Sequence, residues 1–200
     1  MDLRAWALFG LALLLPALAH AQDKPSFLPT KDVIVTYRVS GGDMGNGAQK
    51  LQVIYTAHGQ RERIEYFRWA ESKYPFGALI YDRPANKVIA IDGDKRVFVE
   101  RSTADVKAPE ARYTGPGMHY TRKGTATVAN QPCTEWELQT ADKNDPGGTM
   151  CIMDDGLILR TTRAGASEPT MIAVSVVYST SPDSVFSPPA DFTRLPSPSN

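Results

Sequence analysis

Residues 131–160 read QPCTEWELQTADKNDPGGTMCIMDDGLILR, and they include both cysteines of the chain, Cys133 and Cys151. The pattern predicts a strand, a turn-rich loop and two further short strands. Because side chains alternate between the faces of a strand, Cys133 lies opposite the face that carries Trp136 and Leu138. By the same rule Cys151 lies opposite its apolar neighbours on the returning strand. We therefore predict a disulfide that joins two strands on their outer face.

The start of the chain predicts export. Residues 5–15 form an apolar run, Pro16 ends it, and residues 19–21 (Ala-His-Ala) form a small-x-small cleavage pattern. These features predict a signal peptide over residues 1–21, cut after Ala21. The run is shorter than the ~20 residues that span a bilayer, which disfavours a membrane anchor. The absence of a cysteine at the cleavage site disfavours a bacterial lipid anchor. We expect the mature protein in the periplasm or outside the cell.

An exported chain with two cysteines is most simply explained by one disulfide, which could contribute about 3 kcal/mol through loop closure. The alternatives are two free thiols or a metal pair, although neither a histidine nor a third cysteine lies nearby to complete a metal site. Direct pairing of Cys133 with Cys151 would place Pro146 opposite Leu138, which a regular ladder disfavours. We therefore expect a bulge, a diagonal bridge or a loop that opens before Pro146.

Length and charge limit the possible classes of protein. Lys plus Arg and Asp plus Glu both number 22, so the formal net charge is zero. Such a balance provides no basic surface for nucleic acid or for an anionic membrane. No segment of the mature chain is apolar enough to span a membrane. We predict one domain over residues 22–192, followed by a flexible tail rich in Pro and Ser over residues 193–200.

Short alternating segments separated by turns make up most of the mature chain. We count about eleven strands at hairpin spacing and little helix, which predicts a mainly β, antiparallel barrel or a strongly curved sheet. The glycine-rich residues 41–47 are interpreted as a hairpin tip rather than a phosphate-binding loop. In the strand predicted over residues 170–180, alternation places Val174 and Tyr178 on the core face and Ala173 outward.

The meander over residues 78–100 contains strands that are apolar on both faces. A strand of this kind must be covered on both sides. We therefore expect a cavity, a lid or a second layer over this part of the sheet. The lid candidate is the segment 102–112, where Ser102 or Thr103 could cap a short helix that Pro109 limits.

No sequence motif indicates a reaction. His58 and His119 are the only histidines of the mature chain, and neither a G-x-S-x-G nor an H-E-x-x-H motif occurs. Residues 142–147 resemble the start of a calcium loop, but Pro146 and Met153 occupy positions that would have to supply ligands. We interpret this segment as a polar turn. We predict that the protein has no catalytic site, metal or cofactor and is not an enzyme.

Five segments together carry a family resemblance. They are DVIVTYRV (residues 32–39), the meander LIYDRPANKVIAIDGDKRVFVE (79–100), the cysteine-bearing pieces CTEWELQT and GTMCIMDDGLILR, and the ending DSVFSPPADFTRL (183–195). In these the chain resembles exported bacterial proteins of the outer-membrane lipoprotein-carrier (LolA/LolB-like) superfamily, especially uncharacterised two-cysteine relatives. The resemblance implies an unclosed barrel of about eleven strands, with a short helix or loop over an apolar concavity. In the carriers that concavity holds acyl chains.

Three functional hypotheses follow. The first is a carrier or binding protein for an apolar, acyl- or lipid-like ligand, since ligand sites are concave and mostly apolar. The second is a non-catalytic envelope interaction module with a filled core, which would contact a protein partner through edge strands and the tail. The third is an enzyme dependent on one of the histidines. The aromatic side chains either pack the core or line a pocket, and the lining residues we expect are Val35, Tyr37, Val53, Tyr55, Tyr66, Leu79, Tyr81, Ile89, Ile91, Phe98 and Trp136.

Overall fold

A curled sheet of twelve strands forms the body of the protein in the computed structural model, which describes residues 24–40, 47–141 and 147–197. The order across the sheet is β12-β6-β5-β4-β3-β2-β1-β11-β10-β9-β8-β7, and all neighbours are antiparallel except β12 and β6. The strands are β1 (Val33–Val39), β2 (Lys50–Tyr55), β3 (Arg61–Phe67), β4 (Gly77–Asp82), β5 (Lys87–Asp92), β6 (Val97–Ser102), β7 (His119–Val128), β8 (Gln131–Gln139), β9 (Gly148–Ile152), β10 (Ile158–Arg163), β11 (Met171–Val177) and β12 (Thr193–Arg194). The predicted mainly β, unclosed and strongly curved fold is confirmed.

A bulge in β11 corrects the predicted orientation of its side chains. Thr36 of β1 pairs with Ser175, but the next residue, Tyr37, pairs with Ala173, so Val174 is the extra residue. A bulge of this kind breaks strict alternation. Ala173 is consequently buried, whereas Val174 is 55% exposed. The prediction that Val174 faces the core and Ala173 faces outward is therefore wrong.

Helical segments are few and short. The lid candidate forms two separate turns, a 3-10 helix over Thr103–Asp105 and helix α1 over Ala111–Thr114. Ser102 caps the first turn, as predicted, by accepting a hydrogen bond from the backbone N–H of Ala104 at 3.2 Å. Pro109 keeps the turns apart, because proline lacks an N–H and disfavours helical geometry in the residue before it.

The other 3-10 helices are Ala57–Gly59 and Asp183–Phe186. None of the described helices is long and apolar enough to cross a membrane.

The meander is covered on both faces, as its composition predicted. On one face Ile80 and Ile89 pack with Ile54 and Phe186 in a buried cluster. Phe186 belongs to the last 3-10 helix, which β3 holds in place: the guanidinium of Arg63 donates to the carbonyl of Val185 at 2.9 Å. This helix is the second layer that the two-sided strands require.

The disulfide between Cys133 and Cys151 is present, with an S–S distance of 2.09 Å and a Cα–Cα distance of 5.4 Å. Glu135, not Cys133, pairs directly with Cys151, so the bridge is diagonal, and the β8–β9 ladder ends at Leu138 and Gly148. The bridge lies on the face opposite Trp136, but it is not at the surface. Cys133 is 4% exposed and Cys151 0%, so the predicted outer-face position is wrong. A disulfide of this kind fits an oxidising compartment.

The described part of the tail is paired rather than free. Thr193 and Arg194 lie beside Val97 and Phe98 of β6, and Arg194 forms an ion pair with Glu100 at 2.7 Å. The flexible tail predicted from residue 193 therefore differs from the structure over its first residues. Several predicted features lie outside the described residues. They are the predicted signal peptide with its expected cleavage site at Ala21, most of the predicted glycine-rich hairpin tip (41–46), most of the predicted calcium-like turn (142–146) and residues 198–200.

Removal of the disulfide should lower stability without changing the fold. We expect the double variant Cys133→Ala/Cys151→Ala to lose about 3 kcal/mol of unfolding free energy, since the bridge restricts the unfolded chain. Guanidinium denaturation followed by circular dichroism measures this loss. Reductant should produce a similar loss in the wild type and none in the variant. A double variant as stable as the oxidised wild type would contradict the assignment.

Removal of the Phe186 side chain should expose the outer cluster. Because Phe186 is 5% exposed and packs on the isoleucines of β2, β4 and β5, Phe186→Ala should cost about 3–5 kcal/mol. Val177→Ala, at a side chain that is 51% exposed, serves as the control and should cost less than about 1 kcal/mol. Equal losses in urea denaturation would show that the 3-10 helix does not form a second layer.

Candidate functional site

A cavity of about 380 Å³ lies between the concave face of β1–β4 and the segment 107–113. Its volume falls within the ~300–1,000 Å³ typical of ligand pockets. The wall is predominantly apolar and aromatic, and its lining residues are Phe27, Leu28, Tyr37, Leu51, Val53, Tyr55, Glu62, Ile64, Tyr66, Leu79, Tyr81, Lys107, Ala108, Pro109, Glu110, Ala111, Arg112, Tyr113, Ile158 and Met171. We refer to residues 107–113 as the lid.

Six of the residues expected to line a pocket lie in this wall. They come from β1 to β4 and are Tyr37, Val53, Tyr55, Tyr66, Leu79 and Tyr81. Four adjacent antiparallel strands therefore present their inward side chains to one space. Val35 does not line it and is fully buried in the main core cluster. Trp136 packs instead beside Phe27, Leu138 and Met150 in a second cluster.

The remaining three expected residues, Ile89, Ile91 and Phe98, lie on the opposite face of the sheet in the outer cluster. Strand register explains the difference. The turn between β4 and β5 sets Leu79 opposite Ala90, and Ile80 opposite Ile89. Residues that pair directly share a face, so Ile89 cannot share the face of Leu79. The predicted lining therefore included side chains from both faces of the sheet, because these strands are apolar on both faces.

The segment 24–32, which precedes β1 and is called the N-terminal lead-in, closes one side of the cavity. Phe27 is 8% exposed, and its ring stacks on Tyr113 of the lid with centroids 5.6 Å apart. The next residue, Leu28, also lines the cavity. Gly156 permits this path, because its φ is +96° and a Cβ there would lie 2.5 Å from the carbonyl oxygen of Leu28. The lead-in is therefore part of the cavity wall and not a free extension.

Glu62 and Glu110 form the polar end of the cavity, and Arg83 pairs with both of them from outside the cavity lining. Glu62 of β3 is only 2% exposed, and its Oε2 accepts a hydrogen bond from Nη2 of Arg83 at 3.2 Å. The same nitrogen lies 2.8 and 2.9 Å from the two carboxylate oxygens of Glu110 in the lid. The other terminal nitrogen of Arg83 donates to the carbonyl of Gly59. One guanidinium thus connects a buried carboxylate in the barrel wall with a carboxylate in the lid. We call these three residues the carboxylate triad.

Burial raises the pKa of Glu62 from 4.5 to about 7. Arg83 acts in the opposite direction, because its charge and hydrogen bond favour the carboxylate, while the charge of Glu110 raises the pKa further. Burial raises the pKa of Glu62 by more than Arg83 lowers it, because this one guanidinium is shared between two carboxylates. Near neutral pH, Glu62 is therefore divided between its protonated and ionised forms.

The tyrosines of the wall indicate the same poorly hydrated environment. Burial, followed by the charge of Glu62, raises the pKa of Tyr37 and of Tyr55 far above the usual value. Burial raises the pKa of Tyr66 to about 12. These hydroxyls stay protonated at any physiological pH. Tyr37 donates its proton to the carbonyl of Ile158 at 2.7 Å.

The carboxylate triad was not predicted from the sequence, although one sign of it was present. In β3, Glu62 has the same parity as Ile64 and Tyr66, which also line the cavity. A carboxylate in that register is an exception to alternation and marks a buried charge. Arg83 and Glu110 carry no comparable sign, because they lie in a turn and in the lid, where charged residues are ordinary.

A metal site finds no support in the described ranges. No group of three or more His, Cys, Asp or Glu side chains there could hold a metal ion. His58 and His119 are both exposed and lie outside the cavity wall. The site offers burial of an apolar ligand beside a few polar anchors.

Fold and site together define an open, curled β-barrel with a lid-covered apolar cavity. No protein-family model matches the chain, and no curated protein matches it. Solved structures, in contrast, match the chain in fold. An uncharacterized conserved protein from Thermus thermophilus superposes with a TM-score of 0.55 at 10% identity, covering 84% of this chain and 91% of that one. A structure of MucB in complex with MucA(peri) superposes with a TM-score of 0.51 at 13% identity, covering 82% of this chain.

These matches show the fold alone. The chain spans 56% of the length of MucB, a little over half. A LolA superfamily protein from Nitrosomonas europaea also matches, at 12% identity over 80% of this chain and 92% of that one, but its TM-score of 0.34 is too low to carry an argument. The resemblance to lipoprotein carriers therefore stays a prediction from the sequence.

Replacement of Glu62 should change how stability depends on pH. The pKa of Glu62 is higher in the folded state, about 7, than the ordinary value of 4.5. Its contribution is therefore fully present below pH 4.5 and is lost as pH rises through 7. Glu62→Gln cannot ionise, so its unfolding free energy relative to the wild type should rise by up to about 3 kcal/mol between pH 4.5 and pH 8.

Urea denaturation at a series of pH values measures this difference. The exposed Glu168→Gln controls for the loss of a carboxylate as such. A wild-type-to-variant difference for Glu62→Gln that stays constant across this range would contradict the buried, protonated form of Glu62.

Proposed function

We propose that the mature protein is an exported, periplasmic binding or carrier protein for an apolar, acyl- or lipid-like ligand, which occupies the cavity under the lid. The observation that carries this proposal is the wall itself. Side chains of four adjacent strands, the lead-in and the lid surround about 380 Å³. Apolar walls with a small number of polar anchors are characteristic of ligand pockets. The signal peptide and the buried disulfide are consistent with an exported protein.

The lid provides a route for entry. Lys107, Ala111 and Arg112 are exposed on their outer sides and yet line the cavity. The lid is attached through Glu110 to Arg83 and through Tyr113 to Phe27. Helix α1 has four residues, too few for a helix that is stable by itself. The hydroxyls of Tyr81 and Tyr120 also donate to lid carbonyls, those of Lys107 and Tyr113. Separation of these four contacts would open the cavity to water or membrane without disturbing the sheet.

A second candidate function is an envelope interaction module. Val174 and Val177 expose 55% and 51% of their surface on β11, and neighbouring Tyr178 exposes 40%. Exposed apolar side chains close together are typical of protein contact sites. MucB, which shares the fold, was solved in complex with MucA(peri). The cavity favours the binding protein, because an interaction module does not need one. Neither function requires catalysis, and we propose that the protein is not an enzyme.

A side chain that fills the cavity should abolish ligand retention. Leu79 lines the cavity from β4, and Leu79→Trp adds bulk into that space. We expect mature wild-type protein purified from a bacterial periplasm to carry acyl species in native mass spectrometry, released by solvent extraction, and Leu79→Trp to retain at least about tenfold less, as expected for loss of a well-packed apolar contact.

Val174→Trp is the matched control, because the same large ring is placed on the exposed side of β11 and should leave retention unchanged. Equal retention by Leu79→Trp and the wild type would place the ligand elsewhere. A wild-type protein that carries nothing and binds no decyl compound in solution would refute the binding function and favour the interaction module.

A further inference from the structure

We propose that the carboxylate triad of Glu62, Arg83 and Glu110 selects ligands by their polar end group. It should favour an apolar chain ending in a hydrogen-bond donor, such as the ammonium of an aliphatic amine or the hydroxyl of an alcohol, over a chain ending in a carboxylate. This inference rests on the proposed function, since it concerns the occupant of the same cavity.

The balance of donors and acceptors at the polar end is the first argument. An ionised carboxylate only accepts hydrogen bonds, and its two oxygens offer about four lone-pair sites. Glu62 and Glu110 share one nitrogen of Arg83, at 3.2 Å and at 2.8 Å respectively. The other terminal nitrogen of Arg83 is engaged by the carbonyl of Gly59, and Tyr55 supplies one further hydrogen bond to Glu62. Acceptor sites on the two carboxylates therefore outnumber these donors.

Nearby hydroxyl groups do not restore the balance. The hydroxyl of Tyr37 donates to the carbonyl of Ile158 at 2.7 Å, and that of Tyr81 points to the carbonyl of Lys107 at 3.4 Å. Both protons are thus directed to backbone carbonyls and away from a ligand. No buried side-chain oxygen among the described residues is without a partner, but each carboxylate oxygen can accept a second hydrogen bond. A ligand ending in a donor would supply that bond, whereas a carboxylate end group would add acceptors where acceptors are already in excess.

Charge leads to the same conclusion. The triad contains two carboxylates and one guanidinium, and Glu62 is almost completely buried. The raised pKa of Glu62 has the same cause, because burial and Glu110 together outweigh the stabilisation that Arg83 provides. An ammonium ion beside Glu62 would complete the charge balance, and a hydroxyl could donate without adding charge. An anionic end group would be repelled from this position.

The cations of the lid define the competing outcome. Lys107 and Arg112 line the cavity but are exposed to solvent, so they lie at its mouth rather than at the triad. A ligand with a carboxylate would be held by these two side chains, with its chain directed inward. That arrangement predicts the opposite selectivity and dependence on different residues, so experiment can separate the two.

The test is isothermal titration calorimetry of the full mature chain (residues 22–200) at pH 8 with decylamine, 1-decanol and decanoic acid. Decylamine and decanoic acid are kept below their micelle-forming concentrations, and 1-decanol below its solubility limit. We expect decylamine and 1-decanol to bind at least about tenfold more tightly than decanoic acid, as expected for a hydrogen bond to a charged group. Glu62→Gln should weaken decylamine binding by about tenfold and reduce the amine-to-acid ratio to within about threefold. It should change 1-decanol binding least, because the glutamine amide retains an acceptor oxygen.

Each other outcome has a definite meaning. If the three compounds bind with affinities within about twofold of one another, and Glu62→Gln changes none of them, the end-group selectivity is wrong while the binding function stands. If decanoic acid binds most tightly and the variant Lys107→Gln/Arg112→Gln removes that preference, the end group lies at the mouth and the inference is overturned. If no compound binds, the inference fails, and if the purified protein also carries no acyl species, the proposed function fails with it. The wild-type order alone decides the selectivity if Glu62→Gln does not fold.

Discussion

A β-sheet that curls without closing leaves part of its apolar concave face open to water, and the remaining structure is arranged to cover it. The two ends of this sheet, β7 and β12, do not pair with each other. Phe27 and Leu28 of the lead-in cover one region, and the lid covers another. On the convex face, Phe186 covers the isoleucines of the meander. Three segments with little regular structure therefore complete a core that the strands alone cannot close.

The burial of Glu62 results from this enclosure, and a buried carboxylate lowers the stability of the enclosed core. A carboxylate in an apolar wall costs free energy unless it is paired, and a buried ion pair is often less stable than apolar residues of similar volume. Arg83 supplies the pairing, but it also holds Glu110 of the lid. The charge in the wall and the closure of the cavity are therefore coupled. Any group that competes for Arg83 or for Glu62 acts on the lid through the same guanidinium.

Much of the fold could be predicted, because hairpins follow from local alternation and turn residues. The antiparallel hairpins of the sheet, the pairing of the two cysteines and a cap at Ser102 belong to that class. Pairing and bulges could not be derived in the same way. The exposed position of Val174 depends on a bulge against β1 that the sequence around Val174 does not reveal.

The cavity wall was predicted in part, because Leu79 and Tyr81 carry the right parity. Ile89 was misplaced because strands that are apolar on both faces do not indicate the concave side.

Two features that lower stability occur at the same place in this molecule. A void in a core loses dispersion contacts, and even a methyl-sized cavity costs about 1 kcal/mol. A buried carboxylate loses hydration, as the raised pKa of Glu62 records. Leucine at position 62 would remove the second cost, and larger side chains at the positions of Leu51 or Leu79 would reduce the first. A chain that had only to fold would gain from these changes. Proteins retain such arrangements at functional sites, where a ligand supplies the missing contacts. The coincidence of cavity and carboxylate is therefore the strongest physical reason to expect an occupant.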